Sequence, residues 1–305
     1  MKMEPTVDFK ALPQRLRSMA KCVTVAVACP ADAHTEEVIE RSISEEFAKF
    51  ILVAVEQNAA VAERLHAKYP DRTAIILATD VDDASRKAVA EVRQGRAQVL
   101  MKGTVNTDNL LRAVLNKECG LLEKGHVLTH IAVAEIPGLQ RLLFFTDAAV
   151  IPYPTTEQFH AQLGYIADTF RSVTGNDCPR VALTHCTEKV SEKFPLTLSY
   201  EELKKEAREG AFGSIEVDGP MDVKTACDAE SGAIKGIASP VVGNADILIF
   251  PDIEAGNTFY KAITLFTHAT VAGMLAGTTA PVVVTSRADT VESKFYSLAT
   301  ACMKA

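Results

Sequence analysis

Residues 50–78, FILVAVEQNAAVAERLHAKYPDRTAIILA, place two apolar runs on either side of a helical pattern. FILVAV (50–55) and TAIILA (73–78) are short, continuous and rich in branched side chains, which is typical of buried strands. Between them, NAAVAERLHAKY (58–69) has its apolar residues at helical spacing. A buried strand, a helix and a second buried strand in this order predict a parallel sheet covered by helices.

The same texture continues along the chain. Further buried-strand patterns are VTVAVA (23–28), AQVLM (97–101), RVALTHCT (180–187), ADILIFPD (245–252) and APVVVTS (280–286). HIAVAEIPGLQRLLFFTDAA (130–149) joins two apolar runs through Pro137-Gly138, which predicts an antiparallel hairpin. The sequence therefore predicts an α/β protein with two doubly wound α/β lobes.

The predicted first lobe holds residues 1–122 together with 272–305, and the second lobe holds residues 123–271. The last strand and helix are assigned to the first lobe because residues 280–305 resemble its elements in composition. No Pro/Gly-rich linker separates the lobes, so the boundary is a crossing of the chain and not a flexible tether.

Composition limits the class of protein. The chain has 305 residues, 48% hydrophobic and 23% charged, with a formal net charge of -7. An acidic chain is not expected to bind nucleic acid or an anionic membrane surface, although a local basic pocket can still bind a small anion. No apolar run approaches the roughly 20 residues that span a bilayer. Seven cysteines without a CxxC pair indicate reduced thiols, and hence a cytoplasmic enzyme.

Three strand ends carry candidate site residues, because ligands of open α/β sheets bind beyond the carboxyl ends of the strands. The first lies in LMKGTVNTDNLLRAVLNKECG (100–120), where Lys102 ends a strand and Thr107 leads into a helix that runs to Gly120. The N–H groups at that helix start could hold a phosphate or carboxylate. Arg112 lies off the apolar stripe, so it can face a ligand. A capped surface helix with a solvated arginine is the alternative, which this segment alone favours.

The second strand end lies in ILIFPDIEAGNTFYKAITLF (247–266). Pro251 and Asp252 end the strand, and Asn257 is predicted either to cap the following helix or to bind a ligand. Lys261 follows one turn later, either as a ligand-binding residue or as a lysine whose stem covers apolar surface. The two interpretations of each residue remain open at this point.

The third strand end lies in APVVVTSRADT (280–290). Asp289 and Glu292 have the D-x-x-E spacing of a capping box, which is the role we prefer for both at the start of the final helix. That role leaves Ser286 and Arg287 unexplained. An arginine at the carboxyl end of a strand indicates an anionic substrate, because the planar guanidinium matches phosphate or carboxylate.

Several common site motifs are absent from the sequence. No GxGxxG follows a strand, and neither a Walker loop nor a GxSxG nucleophile elbow occurs. His126 and His130 lack an HExxH partner, and we interpret them as structural residues. Asp218, Asp222 and Asp252 are too weakly patterned to indicate a metal site. Their pattern disfavours a nicotinamide-linked decarboxylating dehydrogenase, which needs a divalent metal.

Taken together and in order, these strand ends resemble the phosphate acetyl/butyryltransferase family. The matching signatures span residues 100–301. They are LMKGTVNTDNLLRAVLNKECGL, VAEIPGLQRLLFFTDAAV, VDGPMDVKTA, KGIASPVVGNADILIFPDIEAGNTFYKAITLF and APVVVTSRADTVESKFYSLATA. ADILIFPDIEAGNTFYK and TSRAD are the segments most specific to the family. The first hundred residues match it only in their general pattern of apolar strands and helices. Within the family, these segments are most similar to the phosphate butyryltransferase branch.

The resemblance implies transfer of a short-chain acyl group, butyryl in this branch, between coenzyme A and inorganic phosphate. It also implies a homodimer of two α/β lobes with the site in the cleft between them, on a fold similar to isocitrate and isopropylmalate dehydrogenases. Acyl-CoA and phosphate are substrates, and no cofactor or metal is implied. The implied catalytic residues are Arg287 and Ser286, and the implied binding residues are Arg112, Thr107, Lys102, Asn257 and Lys261.

One position departs from the acetyl-type pattern. Acetyl-type relatives have an aspartate six residues after the arginine that matches Arg287, and here that position is Ser293. Butyryl-type relatives also lack this acid, so the departure favours that branch and leaves the general base unassigned. The alternatives are a phosphate acetyltransferase or a non-catalytic acyl-CoA-binding protein on the same fold. The intact Ser286-Arg287 pair argues against the non-catalytic alternative.

Overall fold

The structure is a computed structural model that describes residues 8–19, 22–286 and 289–305. Its helices and strands, in chain order, are α1 (Ala11–Ser18), β1 (Val23–Ala28), α2 (Ala33–Ser44), β2 (Ala48–Val55), α3 (Ala60–Lys68), β3 (Thr73–Ala78), α4 (Val81–Arg93), β4 (Val99–Lys102), α5 (Thr107–Val114), β5 (Thr129–Glu135), β6 (Leu142–Thr146), α6 (Thr156–Thr174), β7 (Arg180–Thr184), α7 (Leu196–Arg208), β8 (Glu216–Met221), α8 (Val223–Cys227), α9 (Ala229–Lys235), β9 (Ile247–Ile249), α10 (Ile253–Phe266), β10 (Thr270–Ala276), β11 (Val282–Val283) and α11 (Val291–Lys304). The α/β fold class predicted from the sequence is confirmed.

The chain divides into two compact units. The terminal unit comprises Lys10–Leu128 and Ala272–Ala305, and the central unit comprises Thr129–Val271 with the described N-terminal residues Asp8 and Phe9. Phe9 belongs with the central unit because its N–H donates a hydrogen bond of 2.8 Å to Oε2 of Glu135. The division into a lobe of 1–122 with 272–305 and a lobe of 123–271 remains a prediction about folding domains.

The terminal unit is built on parallel strands. β3, β2, β1, β4 and β11 lie side by side in that order and run parallel, and β10 pairs antiparallel with β11. Every residue of β1 except Thr24 is buried. Central parallel strands are covered on both faces, which is why their sequences are continuous apolar runs instead of alternating ones. The predicted strands 23–28 and 73–78 coincide with β1 and β3.

The chain returns to this sheet near its C-terminal end. Strand β11 is short, and its residues Val282 and Val283 pair with Leu100 and Met101 of β4. Because the two strands run parallel, their carboxyl ends lie at the same edge of the sheet. The residues that follow β11 therefore lie beside the residue that ends β4.

The central unit contains the predicted hairpin. β5 and β6 pair antiparallel, and the prediction from Pro137-Gly138 is confirmed. Gly138 has a φ of 90°, in the left-handed region that glycine enters without strain. The other strands run parallel, in the order β6, β9, β7 and β8.

A glycine fixes the position of α10 in the central unit. The helix begins at Ile253, and the side chain of Asp252 caps it by accepting a hydrogen bond from the N–H of Ala255. Gly256 therefore lies inside the helix, whereas a cap at Asn257 would have placed it before the helix. A Cβ at this position would lie 2.1 Å from the carbonyl oxygen of Asp147, so only glycine allows this close approach.

We expect Gly256→Ala to lower the free energy of unfolding by about 1–3 kcal/mol, because the added methyl overpacks a backbone contact. The matched control is Gly164→Ala in the interior of α6, where a Cβ would meet only a side-chain carbon of Phe212 at 3.9 Å. That change should raise the free energy of unfolding by up to about 1 kcal/mol through helix propensity. Urea denaturation measures both. Effects of the same sign and size would show that the contact with Asp147 does not limit residue 256.

Candidate active site

The ends of β4 and β11 are joined by a buried lysine. Lys102 is 4% exposed, and its Nζ donates to the carbonyl oxygens of Thr285 at 3.2 Å and Gly103 at 3.3 Å. A buried ammonium must be compensated by such contacts. Lys102 therefore ties the segment that leads to Ser286 to the neighbouring strand.

Two pockets of the terminal unit meet at this lysine. One has a volume of about 430 Å³ and is lined by Lys102, Thr107 and Ser286, together with Val105, Asn106, Val284 and Thr285. Three of the residues predicted from the sequence therefore share one pocket. Thr107 is the first residue of α5 and is exposed. Ser286 is also exposed.

The second pocket has a volume of about 360 Å³ and shares Lys102 and Ser286 with the first. It adds Asp32, His34 and Lys294, which the sequence analysis did not single out. Asp32 follows β1, so the strand-end rule applied to that strand would have found it. Lys294 lies inside α11, where the helical pattern alone gives no sign that its side chain lines a pocket.

Asp32 is a fixed carboxylate in this second pocket. It caps α2, with Oδ1 accepting from the N–H of Thr35 at 3.0 Å and Oδ2 accepting from its hydroxyl at 2.6 Å. Partial burial alone would raise the pKa of Asp32, but the hydrogen bonds from Thr35 and the charge of Lys294 outweigh burial and lower that pKa. Asp32 is therefore ionised at neutral pH.

Gly103 lets the end of β4 pass close to the end of β1. Its N–H donates to the carbonyl oxygen of Ala28 at 2.9 Å, and the N–H of Thr104 donates to that of Cys29 at 2.9 Å. A Cβ on Gly103 would lie 2.2 Å from the carbonyl oxygen of Cys29. Any larger residue would displace the backbone that carries Lys102.

The loop after β11 is organised by Asp289. The N–H of Ser286 donates to Oδ2 of Asp289 at 2.6 Å, and the N–H of Asp289 donates to the carbonyl oxygen of Ser286 at 3.2 Å. These two bonds fix the position of Ser286 relative to Asp289, which lies just before α11. Arg287 lies outside the described residues, so its role in binding the phosphoryl group stays a prediction.

The predicted capping box at Asp289 and Glu292 is wrong. Thr290 caps α11, because its hydroxyl oxygen accepts from the N–H of Ser293 at 3.1 Å. The helix begins one residue later than the D-x-x-E spacing requires. Glu292 forms an ion pair of 2.8 Å with Arg41 at the surface instead of folding back onto the helix start.

Arg112 lies apart from the pockets at Lys102. Its side chain is 71% exposed and is 3.8 Å from Asp82, and it lines a third pocket of about 630 Å³ beside α4 and α5. The helix that carries it ends at Val114, not at Gly120 as predicted. Thr107 and Arg112 thus belong to one helix but line different pockets, and a role of Arg112 in binding coenzyme A stays a prediction.

Asn257 and Lys261 belong to α10 in the central unit. The side-chain amide of Asn257 donates to the carbonyl oxygen of Ala148 at 3.0 Å. The suggestion that it caps the helix is wrong, since Asp252 does so. Lys261 is exposed, with its Nζ 4.4 Å from the centre of the Tyr260 ring. The predicted binding roles of Asn257 and Lys261 stay predictions.

The three aspartates considered for a metal site have structural partners. Asp252 caps α10, Asp222 caps α8 and also pairs with Lys235, and Asp218 lies 3.1 Å from Lys204. Burial alone would raise the pKa of Asp222, but hydrogen bonds from Lys235 and its own helix lower that pKa to about 2. In residues 8–19, 22–286 and 289–305, no group of three or more His, Cys, Asp or Glu side chains is arranged to hold a metal ion.

Comparison with known proteins places the chain in a family. Residues 35–302 match the family model described as phosphate acetyl/butaryl transferase. The chain belongs to this family. It is 38% identical over 302 residues to the phosphate butyryltransferase of Clostridium beijerinckii, with 98% of each chain covered. It is also 38% identical over 258 residues to the phosphate acetyltransferase of Rhizobium meliloti, covering 84% of this chain and 80% of that one.

Solved structures agree with this family assignment. A branched-chain phosphotransacylase from Enterococcus faecalis V583 superimposes with a TM-score of 0.81 at 30% identity, covering 92% of this chain and 98% of that chain. A 4-hydroxythreonine-4-phosphate dehydrogenase from Klebsiella pneumoniae gives a TM-score of 0.54 at 13% identity, with the same shares covered. This second likeness concerns the fold alone and confirms the predicted dehydrogenase-like α/β architecture. Among the described helices of this family member, none is both long and apolar enough to span a membrane.

Proposed function

We propose that this transferase moves a short-chain acyl group, preferentially butyryl, between coenzyme A and inorganic phosphate. The observation that carries the proposal is the family match across residues 35–302. The pockets at Lys102 and Ser286 support it, because they lie at the strand ends where α/β enzymes bind anionic substrates. In this proposal Ser286 and Arg287 hold the phosphoryl group, and Lys102 and Thr107 line its pocket.

The remaining predicted residues are proposed to bind coenzyme A. Arg112 is exposed beside a large pocket of the terminal unit and can pair with a phosphate of the nucleotide. Asn257 and Lys261 lie next to one another on one helix of the central unit, and we propose that they contact the acyl-CoA there.

The proposed chemistry is direct transfer without an acyl-enzyme. A phosphate oxygen attacks the thioester carbonyl, the carbon–sulfur bond breaks, and the thiolate of coenzyme A leaves and takes up a proton. Holding both substrates in line is the main source of rate, because proximity can supply roughly 7–11 kcal/mol. Cys29 lies at the end of β1, but burial raises its pKa to about 11, so it is a thiol and not a nucleophile at neutral pH.

The test is phosphate-dependent release of coenzyme A from butyryl-CoA. The released thiol is detected with a thiol reagent. EDTA is present throughout, because the proposed reaction needs neither a metal nor a cofactor. Arsenate should replace phosphate and sustain turnover, since acyl arsenates hydrolyse. Binding of acyl-CoA without release of thiol would identify a non-catalytic binding protein and refute the proposal.

Acetate is the second candidate for the acyl group, because the Rhizobium meliloti relative with the same identity is a phosphate acetyltransferase. A series of acyl-CoAs from acetyl to hexanoyl decides between them. We expect kcat/KM to be highest for butyryl-CoA. A maximum at acetyl-CoA would keep the proposed reaction and overturn the proposed chain length.

Ser293→Ala is expected to retain most of the activity. Ser293 occupies the position of the acetyl-type aspartate. Its backbone N–H donates to the hydroxyl oxygen of Thr290, and the alanine variant keeps this bond. A thiol such as that of coenzyme A has a pKa near 8.5, so a modest fraction of it is thiolate at neutral pH without a base. Initial rates with butyryl phosphate and coenzyme A measure the effect. A loss of more than about 100-fold would mean that the hydroxyl takes part in proton transfer or positioning.

We also propose that the enzyme is a cytoplasmic homodimer or a multiple of it. The cytoplasmic assignment rests on the seven free cysteines, including exposed Cys22 and Cys186. Light scattering at working concentration should give at least twice the chain mass of 32.9 kDa. A single species of 32.9 kDa would contradict the assignment as a dimer.

A further inference from the structure

The pocket bounded by Asp32, Lys102 and Ser286 contains a second buried ammonium, for which the reaction described above has no role. Lys294 is 5% exposed as a residue, and it lines this pocket from α11. A lysine inside a helix usually extends to solvent, so a buried lysine that lines a pocket needs a partner there.

The contacts of Lys294 leave its donors available. In the part of the chain that the structure describes, no oxygen accepts a hydrogen bond from its ammonium, and its one ion pair is with Oδ1 of Asp32 at 3.9 Å. That separation is too long for a hydrogen bond. Both oxygens of Asp32 are already engaged by Thr35. The three N–H donors of the ammonium can therefore bind a ligand in the pocket.

The charges of the pocket favour an anion. The pocket has a volume of about 360 Å³ and is lined by two lysines, Lys102 and Lys294, and by one aspartate, Asp32. The positive end of α2 adds to this field, since Ala33 and His34 of its first turn also line the pocket. The volume is many times the ~30 Å³ of a water molecule, so a tetrahedral oxyanion fits within it.

We propose that Lys294 binds an oxygen of inorganic phosphate, and of the phosphoryl group after transfer, beside Ser286. This assignment rests on the proposed acyltransferase function and adds a cation to it. Asp32 compensates the charge of Lys294 when no anion is bound. Because Asp32 makes no hydrogen bond to the ammonium, binding a phosphate breaks no hydrogen bond that this ammonium makes to the described residues.

Lys294→Met, which removes the charge and keeps the length, tests the assignment. We expect the KM for phosphate and the calorimetric Kd of inorganic phosphate, measured without acyl-CoA, each to rise about tenfold or more. The KM for butyryl-CoA should change by less than about threefold. The matched control is Lys304→Met, at the far end of the same helix and outside the pockets at Lys102, which should leave both constants unchanged.

A second variant tests the charge balance with the opposite sign. Asp32→Asn keeps a residue suited to cap α2 but removes the negative charge, so phosphate should bind more tightly. Circular dichroism and urea denaturation establish that each variant folds. If Lys294→Met does not fold, Asp32→Asn decides, and an unchanged or weaker affinity for phosphate overturns the proposal.

The outcomes separate this proposal from the proposed function. An unchanged phosphate Kd in folded Lys294→Met, or a change confined to butyryl-CoA, overturns the role of Lys294 while the transferase activity stands. If the wild-type chain binds phosphate through Lys294 but releases no coenzyme A, the proposed function fails and the phosphate site remains.

Discussion

Arg287→Gln is expected to lower turnover by roughly 100-fold or more, equivalent to about 2.7 kcal/mol, as loss of an oxyanion donor does in other enzymes. Glutamine keeps much of the volume and some hydrogen bonding but loses the charge. The proposed role of Arg287 is to stabilise charge as it develops on the phosphoryl group, so the loss should appear in kcat as well as in KM. Steady-state rates with butyryl-CoA and phosphate measure both constants.

Two further variants are needed to interpret the effect of Arg287→Gln. Arg287→Lys should recover only part of the rate, because an ammonium lacks the bidentate fork of a guanidinium. Arg64→Gln is the matched control and should leave turnover unchanged, because the Arg64 side chain is 59% exposed on α3 of the same unit. If Arg287→Gln keeps near-normal turnover and raises only the KM for coenzyme A, the arginine merely holds the nucleotide, and its proposed catalytic role is wrong.

Lys102→Met should combine a loss of stability with a loss of turnover. It removes the donors to the carbonyl oxygens of Thr285 and Gly103, and unsatisfied buried carbonyls cost about 1–3 kcal/mol of unfolding free energy. The segment that carries Ser286 then loses its tie to β4. Misplacement of a catalytic group by about 1 Å can cost 100-fold in rate, so we expect kcat to fall by about that factor.

Lys87→Met is the matched control for this prediction. Lys87 also donates to a backbone carbonyl at a strand end, that of Leu77 at 2.8 Å, but its side chain is 40% exposed. Water can replace its hydrogen bond, so stability and turnover should change little. Urea denaturation and initial rates are measured for both variants. Equal effects of the two changes would show that burial and position at the pocket do not distinguish Lys102.

The strands were predictable from the sequence because parallel strands buried on both faces are continuous apolar runs. β1 and β3 were found to the residue. The helix starts were less predictable, because several polar residues near each start can cap. At α11, Asp289 and Thr290 compete for that role, and only the structure shows that Asp289 bonds Ser286 while Thr290 caps.

The candidate site was predictable where it lies at strand ends. Lys102 ends a strand, Thr107 and Ser286 follow strands, and the structure places all three around one pocket. Lys294 could not be found this way, because a single lysine in a helix carries no pattern that distinguishes a pocket from solvent. Its burial depends on how α11 packs against the strand ends, which the order of residues does not reveal.

The most direct test of direct transfer is isotope exchange between labelled inorganic phosphate and butyryl phosphate. In a ternary mechanism phosphate becomes bonded to the acyl group only by attack on butyryl-CoA. Exchange of labelled phosphate therefore requires coenzyme A. We predict label in butyryl phosphate when catalytic amounts of coenzyme A are present, and none when coenzyme A is omitted. Exchange without coenzyme A at a rate comparable to kcat would demonstrate an acyl-enzyme and contradict the mechanism.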